Sequence, residues 1–172
     1  LMLRYRMPNG HHDIPLHDAR TAIALLRDHA AEWGIDPHQV GIMGFSAGGH
    51  LAAATSTRFT GTDDRPDFTV LMYAAISRDE RMIDRETMGN LFGADVPADS
   101  ALYSCEKEVT ARTPPAFIAM SDDDDNVLPG NSICYYTALK RHGVPAELHA
   151  YPRGKHGWGW NPSFRYYDEL TA

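Results

Sequence analysis

Cysteine is scarce in this chain, which has Cys105 and Cys134 as its only two in 172 residues. Two thiols are too few to build a disulfide framework in a chain of this size. A single bridge between them depends on a geometry that spacing alone does not supply. The sequence therefore predicts two unpaired thiols.

Clustered positive charge and long apolar runs are also lacking. Lys and Arg number 16 against 23 Asp and Glu, a formal net charge of -7, and the basic residues are scattered. A nucleic-acid or anionic-membrane partner would favour a clustered basic face, so we expect neither, and a small or neutral substrate instead. No apolar run approaches the ~20 residues that span a bilayer, and the first residues lack a secretory signal pattern. The sequence thus predicts a soluble protein, cytoplasmic or exported, and leaves its compartment open.

A strand–serine–helix turn is the most informative feature that is present. The apolar segment Val40–Met43 leads into the pentapeptide GFSAG at 44–48, and a helix of small residues follows. Such a turn reverses a strand sharply while it strains the serine backbone and exposes its hydroxyl. A serine that merely caps a helix would explain one glycine but not both. We therefore predict that Ser46 is a nucleophile and that Gly44 and Gly48 are both sterically required.

Strand and helix patterns alternate along the chain. Strands are predicted at 1–5, 40–43, 68–74, 116–120 and 146–151, and helices at 16–33, about 49–57, 131–141 and 162–170. This alternation predicts one α/β domain over residues 1–172, with a mostly parallel sheet, flanking helices and a site at the carboxyl ends of the strands. Residues 76–113 show one short helical candidate near 86–92. We interpret them as an excursion over that edge of the sheet which shapes the substrate pocket.

A serine hydroxyl needs a base to take its proton and a carboxylate to orient the base. In this architecture the acid and then the histidine follow the nucleophile, on loops that leave later strands. The acidic run 122–125 follows the strand at 116–120, and His156 follows the strand at 146–151. Most of the other histidines lie on helices, in turns or within a strand, so His156 is the predicted base. Four adjacent carboxylates repel one another, so we expect one to turn inward toward it.

Two metal-binding alternatives have little support. The histidines at 11, 12 and 17 could in principle hold zinc, but only Asp13 and Asp18 stand nearby to complete a ligand set. The acidic run opens like a calcium loop, yet Val127 stands where such a loop has glycine, and Ile133 where it has glutamate. We expect neither a metal nor another cofactor.

With Ser46, the acidic loop and His156, the chain resembles the alpha/beta-hydrolase superfamily, specifically its acetyl xylan esterase-like and prolyl-oligopeptidase-like branch. Segments that carry the likeness lie at 5–8, 15–19, 41–51, 103–104, 113–115 and 131–132. The branch places its catalytic aspartate three residues before a valine, which is Asp124 before Val127 here. The resemblance implies a triad of Ser46, His156 and Asp124 that hydrolyses acyl esters on sugars, or similar small esters, through an acyl-enzyme.

One departure from the family pattern concerns the oxyanion hole. The Ala47 amide can supply one donor, but the chain has no HGGG-like segment for the second, and no strand to lie between Leu1–Tyr5 and the elbow strand. Losing one such donor typically costs about 3 kcal/mol of transition-state stabilisation, a hundredfold or more in rate. We therefore expect the C-terminal portion of a longer enzyme, inactive by itself.

Two other functions remain open. An exopeptidase of the prolyl-oligopeptidase type would share the three residues and need carboxylates for the substrate's amino terminus, for which Glu106 and Glu108 are candidates. A non-catalytic carbohydrate-binding remnant would present Trp158 and Trp160 to sugar rings, although such residues are more often packing aromatics. In the esterase interpretation Trp158 is the expected substrate-binding side chain.

Overall fold

A four-stranded parallel sheet forms the centre of the computed structural model, which describes residues 1–94 and 96–172. Its strands lie side by side in chain order: β1 (Ile42–Phe45), β2 (Thr69–Met72), β3 (Ala116–Ser121) and β4 (Ala146–Tyr151). All three neighbouring pairs are parallel, so every strand ends at the same edge. The predicted α/β fold with a mostly parallel sheet is confirmed.

Helices lie before, between and after the strands. They are α1 (Ile14–Asp28), α2 (Ala30–Trp33), α3 (Ser46–Thr57), α4 (Arg85–Phe92), α5 (Gly130–Arg141) and α6 (Tyr167–Thr171). Two 3₁₀ turns, Ala98–Tyr103 and Cys105–Lys107, follow α4. Among the described residues, no helix combines the length and the apolar character needed to cross a membrane.

The two faces of the sheet carry two different cores because successive side chains of a strand point to opposite faces. On one face, Leu71 and Ile118 pack against α1, α3 and α5 in a large aliphatic core. On the other face, Met72 and Ala119 pack against an aromatic cluster from the C-terminal segment 158–170. Among the described residues, fewer elements therefore pack on the second face than on the first.

The predicted elements at 1–5, 16–33 and 162–170 differ most from the structure, and the strands predicted at 40–43 and 68–74 are found at 42–45 and 69–72. Leu1–Tyr5 form no strand, and Leu1 and Met2 are 90% and 94% exposed. A strand needs a neighbour to pair its N–H and C=O groups, and in the described sheet β1 pairs only with β2. The predicted helix 16–33 is divided at His29 into α1 and α2, and Gly34 ends it in a left-handed conformation as expected.

The last helix is shorter than predicted. Instead of 162–170, α6 covers Tyr167–Thr171, and residues 162–166 form turns. Backbone hydrogen bonds from Asn161 to Trp158 and from Phe164 to Asn161 fold this segment tightly. They bring the Phe164 ring parallel to the Trp158 indole, at 4.1 Å between centroids, so aromatic packing overrides the helical pattern.

Both cysteines are free thiols, as expected from their number. Cys105 is fully buried, and burial raises the pKa of the Cys134 thiol to about 12. A thiol with so high a pKa is protonated at neutral pH and is a poor nucleophile. These residues therefore contribute packing volume.

Candidate active site

Ser46 lies at the junction of β1 and α3, at the carboxyl end of the strand. Its backbone adopts φ 51°, a left-handed conformation that is costly for a residue with a Cβ. The Ala75 amide donates to the Ser46 carbonyl at 3.2 Å and ties the turn to the chain just after β2. Surrounding contacts hold this strained conformation, and the conformation places the Ser46 hydroxyl at the edge of the sheet.

The glycines around the serine have unequal roles. A Cβ at Gly44 would overlap the Gly48 carbonyl, and a Cβ at Gly49 would overlap Ala74. A Cβ at Gly48 would meet nothing within 4 Å. The expectation that Gly48 is sterically required is therefore wrong for the described surroundings, and the close helix–strand approach depends on Gly49 instead.

Ser46, His156 and Asp124 form one hydrogen-bonded series. The Ser46 Oγ lies 2.8 Å from His156 Nε2, and His156 Nδ1 lies 2.7 Å from Asp124 Oδ2. Because an ionised carboxylate only accepts, we assign the proton to Nδ1, which leaves Nε2 to accept from the serine hydroxyl. The three side chains come from loops after β1, β3 and β4, which all end at the same edge of the sheet.

Asp124 is the inward-facing member of the acidic run. Its side chain is 1% exposed, whereas Asp122 and Asp125 face solvent. Its second oxygen, Oδ1, accepts from the backbone amides of Asn126 and Val127, each at 3.0 Å. These bonds satisfy the buried carboxylate and fix the oxygen that faces the imidazole.

The Ala47 amide lies in the first turn of α3, where backbone N–H groups have no acceptor within the helix. The positive end of the helix dipole lies at the same place. Ala47 and Ser46 both line an open cleft. An N–H group so placed can donate to an oxygen that becomes negatively charged beside the Ser46 hydroxyl.

The cleft is polar, and α4 forms one of its walls. Besides Ser46, Ala47 and His156, it is lined by Asp84, Glu86, Thr87, Asn90, Asp125 and Asn126. Four of these six come from residues 84–90. They lie within the segment 76–113, which was predicted to cross this edge of the sheet and shape the pocket. The Asp84 carboxylate caps α4 by accepting from the Thr87 amide at 2.6 Å, and Asp125 pairs with Lys155 at 3.2 Å.

A mainly apolar cavity adjoins the cleft and shares Ala47, Thr87 and Asn90 with it. Its wall includes His50, which is buried and contacts the Tyr103 carbonyl through Nε2 at 2.9 Å. Burial lowers the pKa of His50, so its imidazole is neutral near pH 7. The cavity therefore has a mainly apolar wall with an uncharged imidazole, and it lies beside Ala47, the residue after Ser46.

Trp158 does not line the cleft. Its indole is 7% exposed, stacks on Phe164 and donates from Nε1 to Ser121 Oγ at 2.9 Å. Its only polar group is thus occupied, and Tyr73 and Tyr151 also pack against the ring in T-shaped contacts. The structure corrects the expectation of a sugar-facing Trp158, because burial keeps the ring from reaching a substrate at Ser46.

The other candidate ligand groups lie elsewhere. Glu106 accepts hydrogen bonds from the Ser77 and Ser104 hydroxyls, at 2.9 and 2.7 Å, and is not among the residues lining the cleft. His12 contacts Asp99 at 3.2 Å. Within the described ranges, no three or more His, Cys, Asp or Glu side chains are grouped in a way that could hold a metal ion.

Two residues that contact His156 or its loop were not predicted from the sequence. Tyr73 packs against the imidazole, with 4.8 Å between ring centroids, and Asp123 accepts from the amides of Gly154 and Lys155. Tyr73 follows the last residue of β2, so the rule that sites form at the carboxyl ends of parallel strands could have identified it. For Asp123, the only signal in the sequence was its place in the acidic run 122–125.

A parallel sheet with a strained serine between strand and helix, and with aspartate and histidine on later loops, defines the alpha/beta-hydrolase class of fold. The chain belongs to the alpha/beta hydrolase family, whose family model matches residues 1–159. The resemblance to this superfamily is confirmed.

Particular relatives are named for xylan and ester chemistry. The chain is 40% identical over 175 residues to an acetylxylan esterase of Xylanibacter ruminicola, and 34% identical over 158 residues to endo-1,4-beta-xylanase B of Butyrivibrio fibrisolvens. A crystal structure of an acetyl ester-xyloside bifunctional hydrolase from Caldicellulosiruptor lactoaceticus superposes with a TM-score of 0.87 at 36% identity.

These alignments cover most of this chain but less of the relatives. They include 98% of the chain against the esterase, 85% against the xylanase and 98% against the solved hydrolase. The chain spans 36% of the esterase, 25% of the xylanase and 67% of the solved hydrolase.

Proposed function

We propose that this chain carries the catalytic serine, base and acid of a serine esterase that hydrolyses acetyl esters on xylan or a related sugar. The hydrogen-bonded series from Ser46 through His156 to Asp124 carries the proposal. A strained serine, a half-buried histidine and a buried aspartate at these distances have the geometry that acyl transfer requires.

The first half of the reaction forms an acetyl-enzyme. As Ser46 Oγ attacks the acetyl carbonyl carbon, His156 Nε2 takes the hydroxyl proton, and Asp124 stabilises the resulting imidazolium. The Ala47 amide donates to the oxyanion of the tetrahedral intermediate. When the intermediate collapses, the Nε2 proton passes to the sugar oxygen, and the alcohol leaves.

The second half regenerates the enzyme. A water molecule gives its proton to His156 Nε2 and attacks the acetyl carbonyl, again through an oxyanion that faces the Ala47 amide. Collapse returns the proton to Ser46 Oγ and releases acetate. No step needs a metal or a redox cofactor.

The substrate class rests on the relatives and on the character of the cleft. The most similar curated relative described above is named an acetylxylan esterase. Thr87, Asn90 and Asn126 give the cleft uncharged polar side chains that can hydrogen-bond sugar hydroxyls. The exopeptidase alternative gains no support from Glu106, whose carboxylate binds Ser77 and Ser104 outside the cleft.

The test uses the full-length protein that contains this chain. It compares hydrolysis of an acetylated xylo-oligosaccharide, p-nitrophenyl acetate and an aminoacyl p-nitroanilide, together with labelling by a fluorophosphonate probe. We expect labelling at Ser46 and faster turnover of the acetyl esters than of the anilide. Ser46→Ala removes the nucleophile and should abolish labelling and lower turnover at least about a thousandfold.

Ser163→Ala is the matched control, since Ser163 is an exposed serine outside the cleft. It should leave labelling and turnover unchanged. Wild-type protein that labels no faster than Ser46→Ala would refute the catalytic assignment, and preferential cleavage of the anilide would favour the exopeptidase.

A further inference from the structure

The loop that carries His156 is held just before the histidine by a second aspartate. Asp123 Oδ1 accepts from the backbone amides of Gly154 and Lys155, both at 2.8 Å. These hydrogen bonds, the Lys155 amide first, hold the pKa of Asp123 below its usual value. The carboxylate is therefore ionised near neutral pH and acts only as an acceptor.

The same loop is held just after the histidine by Tyr73. The Gly159 amide donates to the Tyr73 hydroxyl at 2.9 Å, and the Tyr73 ring packs edge-on against the His156 imidazole. Tyr73 is itself 4% exposed and follows β2, so it links the loop to the centre of the sheet. Asp123 and Tyr73 thus contact the loop on either side of His156.

The backbone is strained at Lys155, which donates to Asp123, and at Tyr73 itself. Lys155 has φ 56° and Tyr73 has φ 39°, both left-handed values that a side chain with a Cβ rarely adopts. Such conformations persist only where surrounding interactions hold them, and they are concentrated at functional sites. Without the Asp123 acceptor, Lys155 could relax toward an ordinary conformation and carry the adjacent histidine with it.

We infer that Asp123 and Tyr73 are positioning residues that clamp the loop 154–159 and so hold the His156 imidazole between Ser46 and Asp124. This inference rests on the proposed function for its catalytic consequence. Neither residue need touch the substrate: Asp123 acts through the Gly154 and Lys155 amides, and Tyr73 acts through its ring contact with the imidazole and through the Gly159 amide. Small displacements of a general base have large effects on rate, because proton transfer requires hydrogen-bond contact.

The test measures the His156 imidazole directly. In wild type, the Nδ1–H proton held by Asp124 should give a sharp low-field proton resonance in NMR spectra, assigned by its absence from His156→Gln. Asp123→Ala should broaden or remove this resonance and slow fluorophosphonate labelling of Ser46 at least about tenfold. Tyr73→Phe, which removes only the hydroxyl, should act in the same direction with a smaller effect.

Two further variants separate positioning from general destabilisation. Asp123→Asn keeps an oxygen that can accept from both amides, so it should restore the resonance and most of the labelling rate. Asp122→Ala removes a neighbouring carboxylate that is exposed and does not line the cleft, and it should leave both readouts unchanged. Circular dichroism melts of all variants verify that the fold persists at the measuring temperature.

Retention of the resonance and of the labelling rate in Asp123→Ala would overturn the inference, as would equal loss in Asp123→Asn and Asp123→Ala. Failure of the proposed function gives a different result. In that case wild type would not label at Ser46, while the imidazole resonance would still respond to the Asp123 variants.

Discussion

Four consecutive aspartates, 122–125, have different surroundings although their sequence context is nearly the same. Asp124 is buried and bonds His156, while Asp123 is partly exposed and bonds two backbone amides of the histidine loop. Asp125 is exposed and pairs with Lys155, and Asp122 faces solvent. Burial and hydrogen-bond partners therefore assign different roles to identical side chains.

His50 makes a prediction about pH and stability at the residue scale. Burial lowers its pKa in the folded state, so below about pH 6.5 the unfolded chain binds a proton that the folded chain excludes. The free energy of unfolding should therefore fall as the pH drops from 7.5 to 5.5. His50→Gln, whose amide can still donate to the Tyr103 carbonyl, should make this fall shallower by up to about 1.4 kcal/mol per pH unit.

Urea unfolding at a series of pH values measures this effect. His38→Gln, a substitution at an exposed position, serves as the control for loss of a histidine as such. Parallel stability curves for wild type and His50→Gln would contradict the prediction.

At the scale of elements, the β1–α3 turn depends on how closely the helix approaches its own strand. A Cβ at Gly44 would overlap the Gly48 carbonyl, which belongs to the helix backbone and has little freedom to move. The same atom at Gly48 would enter open space. The two glycines of the motif are thus a matched pair for experiment.

Gly44→Ala should destabilise the protein by about 1–3 kcal/mol or more, because it overpacks the turn. Gly48→Ala should leave stability unchanged or raise it by up to about 1 kcal/mol, because alanine is the better residue within a helix. Denaturant unfolding followed by circular dichroism compares them. Equal losses in the two variants would contradict the unequal roles of the two glycines.

At the scale of the whole molecule, the sheet is covered unequally. Helices α1, α3 and α5 lie on one face, while the other face has only the C-terminal segment 158–170 among the described residues. On that second face, Met43 is 38% exposed, and Phe45, Val70 and Phe117 are only partly buried. Contiguous apolar exposure of this kind favours dye binding and association.

We expect the native chain to bind the dye ANS at this face. Met43→Lys should lower the ANS fluorescence while it changes the free energy of unfolding by no more than about 0.5 kcal/mol, as is usual for surface substitutions. Leu25→Lys, at a position on α1 that is 44% exposed, is the matched control and should leave the fluorescence unchanged. A similar decrease in both variants would locate the dye elsewhere.

Much of the fold was predictable because the residue patterns typical of strands and helices are recognisable within short segments. Alternation of elements indicated the parallel sheet, and β4 matches its predicted bounds, 146–151. The predictions at 1–5 and 162–170 were wrong for non-local reasons. A strand requires a neighbouring ladder, and the stacking of Phe164 on Trp158 outweighed a helical pattern.

For the candidate site, the sequence by itself determined the strained turn at Ser46 and the order of serine, acid and histidine along the chain. Both depend on short segments: the turn on the sterics of a few neighbouring residues, and the order on the succession of strands and loops. Only the tertiary structure decided that Trp158 packs in the interior and that Asp123 and Tyr73 hold the histidine loop. Those outcomes depend on contacts between residues 31, 32, 37 and 86 positions apart, which form only when the strands assemble into one sheet.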